Sequence, residues 1–249
     1  MALLSVQRGS VALALGLAAA LANLAGGRLV LWRQWSRQFL KYFVALGAGF
    51  MLATAFLEMI PESVRLAPPG APVFLLILGG YLLVHFFEHT IAPHFHFGEE
   101  THAAEISHAH ASWTVLMGLA IHTFFDGVAI ASGVLVSTGL GVLIFFAVFL
   151  HKLPEGFTVS SIMLASGRGR RAAFAACALL AASTLAGTAM MLVLRGTIAY
   201  ALPFSAGVTI YVAASDLIPE VNHDPAPGSA LVVFLGALIM LLLRAIFHL

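Results

Sequence analysis

Two short stretches of the same form lie in the middle of the chain and read IHTFFDG (residues 121–127) and LHKLPEG (residues 150–156). Each contains a histidine, then a carboxylic acid four residues later, then a glycine. On an α-helix, residues four positions apart lie one above the other on the same face. Each stretch, if helical, therefore presents an imidazole and a carboxylate side by side.

The sequence on both sides of these stretches is apolar enough for a lipid bilayer. Of the 249 residues, 61% are hydrophobic and 9% are charged, whereas about 25% are charged in a typical soluble domain. A membrane-spanning helix needs about 20 mostly apolar residues. Eight such runs occur, here called spans 1 to 8, at roughly residues 5–27, 40–61, 72–92, 112–136, 139–166, 172–194, 197–219 and 229–248. We predict an all-α membrane protein in which residues 1–249 form a single transmembrane domain.

The composition also excludes several classes of protein. Twelve Lys and Arg residues stand against eleven Asp and Glu residues, for a formal charge of +1, which excludes a broad basic face for nucleic acid. A single cysteine, Cys177, excludes an intrachain disulfide and a cysteine-rich zinc module. The partners that remain are the lipid bilayer and small ligands.

The orientation follows from the basic residues near the span ends, because cytoplasmic loops carry an excess of Lys and Arg. One side of the membrane would carry Arg28, Arg33, Arg37, Lys41, Arg168, Arg170 and Arg171, and the other Arg8, Arg65, Arg195 and Arg244. This difference places both termini outside and the loop at about residues 93–111 in the cytoplasm.

Spans 2 and 7 contain similar segments, GFMLATAFLEMIPE (residues 49–62) and GVTIYVAASDLIPE (residues 207–220). Aligned without gaps, the two segments share a glycine, an alanine, an acidic residue and a final Ile-Pro-Glu. The two spans would run in opposite directions, and inverted repeats interrupted by proline are typical of secondary transporters. We predict inverted three-helix repeats (spans 1–3 and 6–8) around a central helix pair (spans 4–5). The alternative is a helix-end signal that occurs twice.

The central pair can form a metal site if its two helices face each other. His122, Asp126, His151 and Glu155 would then offer two nitrogens and two oxygens, a set that suits Zn²⁺ and also Fe²⁺, Mn²⁺ or Co²⁺. A charged side chain at the centre of a membrane helix costs roughly 2.5–3.5 kcal/mol on insertion scales, and a bound cation would compensate it. The alternative is a set of buried polar residues that satisfy one another across a helix interface.

Three further residues in these stretches affect the backbone. Pro154 lacks the N–H that would bond to the carbonyl of Leu150, and it predicts a kink there. Gly127 and Gly156 predict close approach of neighbouring helices.

With these features the chain resembles the ZIP (Zrt/Irt-like) family of divalent metal-ion transporters, in its prokaryotic type. In that family span 4 commonly reads His-Asn-x-x-Glu/Asp-Gly and span 5 His-Glu-x-Pro-Glu/His-Gly. The resemblance implies an importer that moves zinc, or iron, manganese, cobalt or cadmium, toward the cytoplasm. It also implies that His122, Asp126, His151 and Glu155 are the primary metal ligands.

Two residues depart from the family pattern at positions that help to bind a second, adjacent metal in some members. Thr123 stands where Asn is common, and Lys152 stands where an acidic residue is common. An ammonium group there would repel a second ion, since two unit charges 4 Å apart interact by about 4 kcal/mol at an effective dielectric constant near 20. We predict one metal, with Lys152 in place of the second. Alternatively, Lys152 points away and pairs elsewhere, for example with Asp216.

The loop between spans 3 and 4 is rich in histidine. It contains His94, His96, His102, His108 and His110. Clustered histidines can hold a metal ion transiently, which would allow ion capture at the exit or sensing of cytoplasmic metal. A solvated loop without a metal role is the other interpretation, and both stay open.

A rival function follows from HFFEH (residues 85–89), which matches the metalloprotease pattern H-x-x-E-H. It predicts an intramembrane zinc-dependent hydrolase with Glu88 as the base and His85 and His89 as ligands. Alternatively, these three residues line an exit path. A sensor that binds metal without transporting it is a third hypothesis.

Glu58 and Asp216 occupy matching positions in the repeat. Either they line the route or relay protons, or they belong to helix ends set by the following prolines. The absence of a sequence of the form G-x-x-x-x-G-K-[ST] argues against ATP-driven transport, so we expect no enzyme activity. The short loops favour a bacterial inner membrane, and a homodimer is left open as the assembly.

Overall fold

The computed structural model describes residues 2–32, 37–91, 111–223 and 228–246. These residues form α-helices and short π- and 3₁₀-helical segments, with no strand among them. The α-helices are α1 (Ala2–Trp32), α2 (Arg37–Thr54), α3 (Ile60–Leu66), α4 (Val73–Phe86), α5 (Ala111–Val136), α6 (Thr138–Ala165), α7 (Arg170–Val193), α8 (Ile198–Tyr211), α9 (Ile218–His223) and α10 (Ser229–Ile246). The π-helical segments are Ala55–Met59, Phe87–Ile91 and Val212–Leu217, and the 3₁₀ segment is Arg195–Thr197.

Eight helical stretches are long and apolar enough to cross a membrane, which confirms the predicted number of spans. They are Gln7–Leu29, Gln38–Leu66, Val73–Thr90, Leu116–Val136, Thr138–Leu164, Arg170–Val193, Arg195–Asn222 and Ser229–Ile246. Spans 2 and 7 are interrupted by π-helical segments, span 3 ends in one, and the other five are continuous α-helices.

The apolar residues are distributed as expected for a protein whose solvent is lipid. Large hydrophobic side chains remain exposed on the outer faces, such as Phe74 in span 3 at 71% and Phe234 in span 8 at 73%. A soluble monomer rarely leaves so much contiguous apolar surface uncovered. The interior, in contrast, contains histidine, lysine and carboxylate side chains. This inside-out polarity supports an integral membrane protein.

Spans 4 and 5 lie at the centre of the bundle. They pack against each other, and both contact spans 1 and 6. Span 5 also contacts span 2, and span 4 also contacts span 7. Spans 3 and 8 lie further out, where span 3 packs mainly on span 7 and span 8 mainly on span 2. The central position of spans 4 and 5 agrees with the predicted arrangement.

Glycines bring the helices to backbone contact at four of the crossings. A Cβ added to Gly156 would collide with the carbonyl oxygen of Asn23 in span 1, and a Cβ added to Gly26 would collide with that of Leu153 in span 5. The same reciprocal contact joins spans 4 and 6 through Gly127 and Gly187, spans 2 and 8 through Gly49 and Gly236, and spans 3 and 7 through Gly80 and Gly207. The close approach predicted for Gly127 and Gly156 is thus present.

These crossings follow the pattern that the inverted repeat would produce. The repeat would pair span 1 with span 6, span 2 with span 7, span 3 with span 8 and span 4 with span 5. Under this pairing, the contact between spans 1 and 5 corresponds to the contact between spans 6 and 4. The contact between spans 2 and 8 likewise corresponds to the contact between spans 7 and 3. This correspondence supports the repeat. The inverted orientation of its two units stays a prediction, as does the kink at Pro154, through which α6 continues.

The two similar segments share a backbone detail as well. The N–H of Ile60 bonds to the carbonyl of Ala55, and the N–H of Ile218 bonds to that of Ala213. Each bond spans five residues, so both helices contain a π-turn directly before the proline. The alanines shared by the two segments are therefore the acceptors at equivalent π-turns.

We expect Gly156→Ala to destabilise the fold, because its Cβ would collide with a backbone atom that cannot move independently of span 1. Overpacking of this kind costs about 1–3 kcal/mol, and each kcal/mol lowers the melting temperature by roughly 2–4 °C in a chain of this size. The measurement is thermal unfolding in detergent.

Gly47→Ala is the matched control. Gly47 is also buried in a span, but its added Cβ would lie 3.5 Å from Leu150 Cβ, an ordinary contact. This variant should melt at or slightly above the wild-type temperature, because alanine favours a helix over glycine. Equal melting temperatures for the two variants would contradict the packing argument.

Candidate metal centre

The four side chains predicted as ligands meet at one point between spans 4 and 5. One ligand atom from each of His122, Asp126, His151 and Glu155 lies within 4.8 Å of all the others. All four residues are buried, and none is more than 8% exposed. Helical spacing places each histidine beside its own acid, and the packing of spans 4 and 5 brings the two pairs together.

The closest contacts within this cluster cross from one helix to the other. His151 Nε2 lies 3.2 Å from Asp126 Oδ2, and His122 Nε2 lies 3.6 Å from Glu155 Oε2. A tetrahedral zinc ion with bonds of 2.0–2.2 Å requires ligand atoms about 3.4 Å apart. These two distances are close to that spacing, and the distance from His151 Nε2 to Glu155 Oε2 is longer, at 3.9 Å.

Hydrogen bonding at the backbone orients one of the imidazoles. His151 Nδ1 lies 3.0 Å from the carbonyl oxygen of Ala147, one turn earlier. When Nδ1 donates its proton to that carbonyl, Nε2 carries the lone pair and faces the acids. This is the usual outer contact of a metal-binding histidine.

Two polar atoms of the cluster lack a hydrogen-bond partner among the described residues. They are His122 Nδ1 and Asp126 Oδ1. An unpaired buried polar atom is unfavourable by roughly 1–3 kcal/mol. Such atoms are uncommon in folded proteins, and they are typical of sites that bind ions or water.

Lys152 is fully buried, and its ammonium group contacts both acids of the cluster. Its Nζ lies 2.7 Å from Asp126 Oδ2, contacts Glu155 Oε2, and donates to Thr123 Oγ1 at 3.0 Å. The alternative in which Lys152 points away toward Asp216 is therefore wrong, because Lys152 pairs with Asp126 and Glu155 instead. The lysine competes for the same oxygen atoms that a metal ion would bind.

Glu155 also receives hydrogen bonds on its other oxygen. Thr123 Oγ1 donates to Oε1 at 2.6 Å, and Asn23 Nδ2 donates to the same oxygen at 3.2 Å. Sequence reasoning missed Asn23. The available signal was a buried carboxamide in the otherwise apolar second half of span 1, where only its partner would have indicated a role.

A second polar group adjoins the cluster through His122. Glu88 Oε1 lies 3.8 Å from His122 Nδ1, and Glu88 interacts electrostatically with Asp216 and Tyr211. Two of the residues predicted for the pathway, from spans 3 and 7, are thus adjacent to a predicted ligand.

The two histidines of the H-x-x-E-H pattern lie apart from the metal cluster. The rings of His85 and His89 stack on each other with centroids 4.2 Å apart, and His89 Nδ1 contacts the Tyr211 hydroxyl at 3.3 Å. Glu88 turns toward His122 instead. Within the described residues, the central cluster is the only group of three or more His, Cys, Asp or Glu residues spaced to hold a metal.

The remaining predicted positions are of two kinds. Glu58 forms an ion pair with Arg244 of span 8, in which Oε1 and Nε are 2.8 Å apart. This contact favours a structural role for Glu58, and its pathway role stays a prediction. The loop histidines His94, His96, His102, His108 and His110 lie outside the described residues.

Comparison with known proteins agrees with this geometry. The family model described as "ZIP Zinc transporter" matches residues 96–244. Human zinc transporter SLC39A7 is 34% identical over 128 residues, which are 47% of this chain and 27% of that protein. Zinc transporter ZIP9-A of Xenopus laevis is 25% identical over 79% of this chain and 82% of that protein. Zinc transporter YKE4 of Saccharomyces cerevisiae is 26% identical over 77% and 64%.

The chain spans about a quarter of the length of SLC39A7. The family model, in contrast, covers more than half of this chain, including both central spans. The relatives that match are named as transporters, and they give no support to the hydrolase. The matched region contains the four buried residues of the cluster, and the chain belongs to the ZIP zinc transporter family.

Proposed function

We propose that this chain transports Zn²⁺ across a membrane toward the cytoplasm, through the site between spans 4 and 5. The observation that carries the proposal is the cluster of His122, Asp126, His151 and Glu155, whose ligand atoms lie within 4.8 Å of one another in the membrane interior. The relatives named as zinc transporters favour zinc as the ion. Iron, manganese, cobalt and cadmium remain as further substrates, because such ligands discriminate weakly between these ions.

The route that we propose continues from this cluster to the second polar group. An ion that leaves His122 would next meet Glu88 and Asp216, which supply carboxylates on the adjoining spans 3 and 7. From there it would leave toward the histidine-rich loop at about residues 93–111. Alternating access would come from movement of one group of helices against the other. Both termini would lie outside, in a bacterial inner membrane, with a homodimer as the assembly still to be tested.

The site would hold one ion, because Lys152 already supplies a positive charge. Asp126 and Glu155 carry two negative charges and Lys152 one positive charge, so one divalent ion brings the sum to +1 and a second would bring it to +3. In a poorly solvated interior such an excess is strongly unfavourable. Lys152 thus limits the site and also competes with the first ion for its ligands.

Transport is tested with purified protein in liposomes and ⁶⁵Zn²⁺. We expect uptake by the wild-type protein and a loss of more than about 100-fold in His151→Ala, because even outer contacts of a metal site are worth 10–100-fold. His85→Ala is the matched control, since His85 lies outside the cluster and stacks on His89. This variant should keep most of the metal binding.

Two outcomes would contradict transport. Zinc binding without flux in the wild-type protein would indicate a sensor. Peptide cleavage that is lost in Glu88→Gln, in a protein that shows no zinc flux, would indicate the hydrolase.

The number of bound ions is tested by elemental analysis of the purified protein in excess Zn²⁺. We expect one ion per chain at the central site in the wild-type protein and two in Lys152→Glu, which removes the ammonium and adds a carboxylate. His122→Ala measured in parallel identifies ions that bind elsewhere. A wild-type protein with two central ions would contradict the role of Lys152.

Lys152→Met separates the charge of the lysine from its volume. Without metal this variant leaves Asp126 and Glu155 unpaired, and breaking a buried pair costs about 3–5 kcal/mol. We therefore expect a lower melting temperature without zinc and a larger rise on adding zinc than in the wild-type protein, since a ligand that binds the folded state stabilises it. Equal rises in the two proteins would show that the lysine does not compete with the ion.

A further inference from the structure

We propose that Asn23 of span 1 is a positioning residue of the metal site, which holds Glu155 in place and offers its amide oxygen to the ion. The inference rests on the proposed metal site. Its starting point is the hydrogen bond from Asn23 Nδ2 to Glu155 Oε1, at 3.2 Å between two buried side chains. Span 1 lies outside both histidine-containing stretches, so a third helix contributes to the site.

The packing of span 1 against span 5 brings Asn23 within reach of Glu155. The backbone carbonyl of Asn23 occupies the space that a Cβ on Gly156 would need, and the carbonyl of Leu153 does the same at Gly26. These contacts surround Glu155 directly, because Gly156 is the next residue along span 5. The glycines thus place the Asn23 side chain beside one ligand and at the depth of the cluster.

The other polar atom of the same side chain has no partner. Asn23 is fully buried, and its Oδ1 makes no hydrogen bond to any described residue. A buried amide oxygen without a donor is unfavourable. Asn23 Oδ1 is bonded to the same carbon atom as Nδ2, the nitrogen that donates to Glu155. Amide oxygens of this type bind divalent cations. An ion beside Glu155 would satisfy it.

Comparison with the other half of the repeat shows that this feature is specific to Glu155. At the crossing of spans 4 and 6, Thr184 takes the position of Asn23, because its carbonyl faces Gly127 as that of Asn23 faces Gly156. The Thr184 hydroxyl, however, bonds to the carbonyl of Leu180 in its own helix at 3.4 Å. Asp126, the residue before Gly127, therefore receives no side-chain amide hydrogen bond from the position of Thr184.

The difference between the two acids explains why one of them needs such a contact. Glutamate has one more rotatable bond than aspartate and loses more rotamer freedom when it is fixed. Glu155 is held through Oε1 by Asn23 and Thr123, and through Oε2 by Lys152. Without Asn23, the remaining contacts draw the carboxylate toward the lysine and away from the ion.

The experiment compares Asn23→Ala with Thr184→Ala, which removes a buried polar side chain at the equivalent crossing. Both variants are titrated with Zn²⁺ in detergent, and the visible absorption spectrum of bound Co²⁺ is recorded. We expect about tenfold weaker Zn²⁺ binding and a changed Co²⁺ spectrum in Asn23→Ala, as for the loss of an outer contact. Thr184→Ala should keep wild-type affinity and spectrum.

In liposomes, Asn23→Ala should raise the KM for zinc about tenfold while the maximal rate changes little, since the four proposed ligands on spans 4 and 5 remain. Asn23→Ser keeps a short hydrogen-bond donor, so its affinity should fall between those of wild type and Asn23→Ala. This variant also decides the question if the alanine variant does not fold.

Wild-type affinity and an unchanged Co²⁺ spectrum in Asn23→Ala, or in Asn23→Ser when only that variant folds, would overturn the proposal. So would equal effects of the Asn23 and Thr184 variants on both readouts. Because the Co²⁺ spectrum reports binding, this test remains valid if the wild-type protein shows no zinc flux, a result that would count against the proposed function alone.

Discussion

Two carboxylates in the interior of a membrane protein impose the constraint on which the rest of this structure depends. Asp126 and Glu155 are buried at 1% and 8% exposure, and an isolated buried charge is strongly unfavourable without a partner. The partners come from several helices, with Lys152 and His151 on span 5, Thr123 on span 4 and Asn23 on span 1. The centre of the bundle is therefore held together by electrostatic contacts and not by apolar packing alone.

Lipid provides little driving force for apolar helices to associate, so close packing must come from the shape of the helices. The reciprocal glycines at four crossings supply that shape, since each removes the Cβ that would separate two backbones. Two of these glycines, Gly127 and Gly156, directly follow the acids. The residues that bring helices together thus also help to set the depth of the acids beside them.

Each π-helical segment in the described part of the chain contains one acidic residue, and these are Glu58, Glu88 and Asp216. A π-turn inserts an extra residue into the helix and changes the direction of the side chains around it, and such turns are frequent at functional sites. Glu88 lies 3.8 Å from His122 and interacts electrostatically with Asp216, whereas Glu58 pairs with Arg244. The equivalent repeat positions of Glu58 and Asp216 therefore have different surroundings.

The sequence alone determined the eight spans and the spacing of each histidine from its acid, because both depend on local features: the length of an apolar run and the four-residue period of a helix. The repeat, inferred from two similar segments, stays a prediction. The sequence did not determine the partner of Lys152, the part played by Asn23, or the separation of His85 and His89 from the metal cluster. These depend on which helix faces which, across 29 residues for Lys152 and Thr123 and 132 residues for Asn23 and Glu155. Only tertiary packing decides such contacts, since hydropathy is the same for either face of an apolar helix.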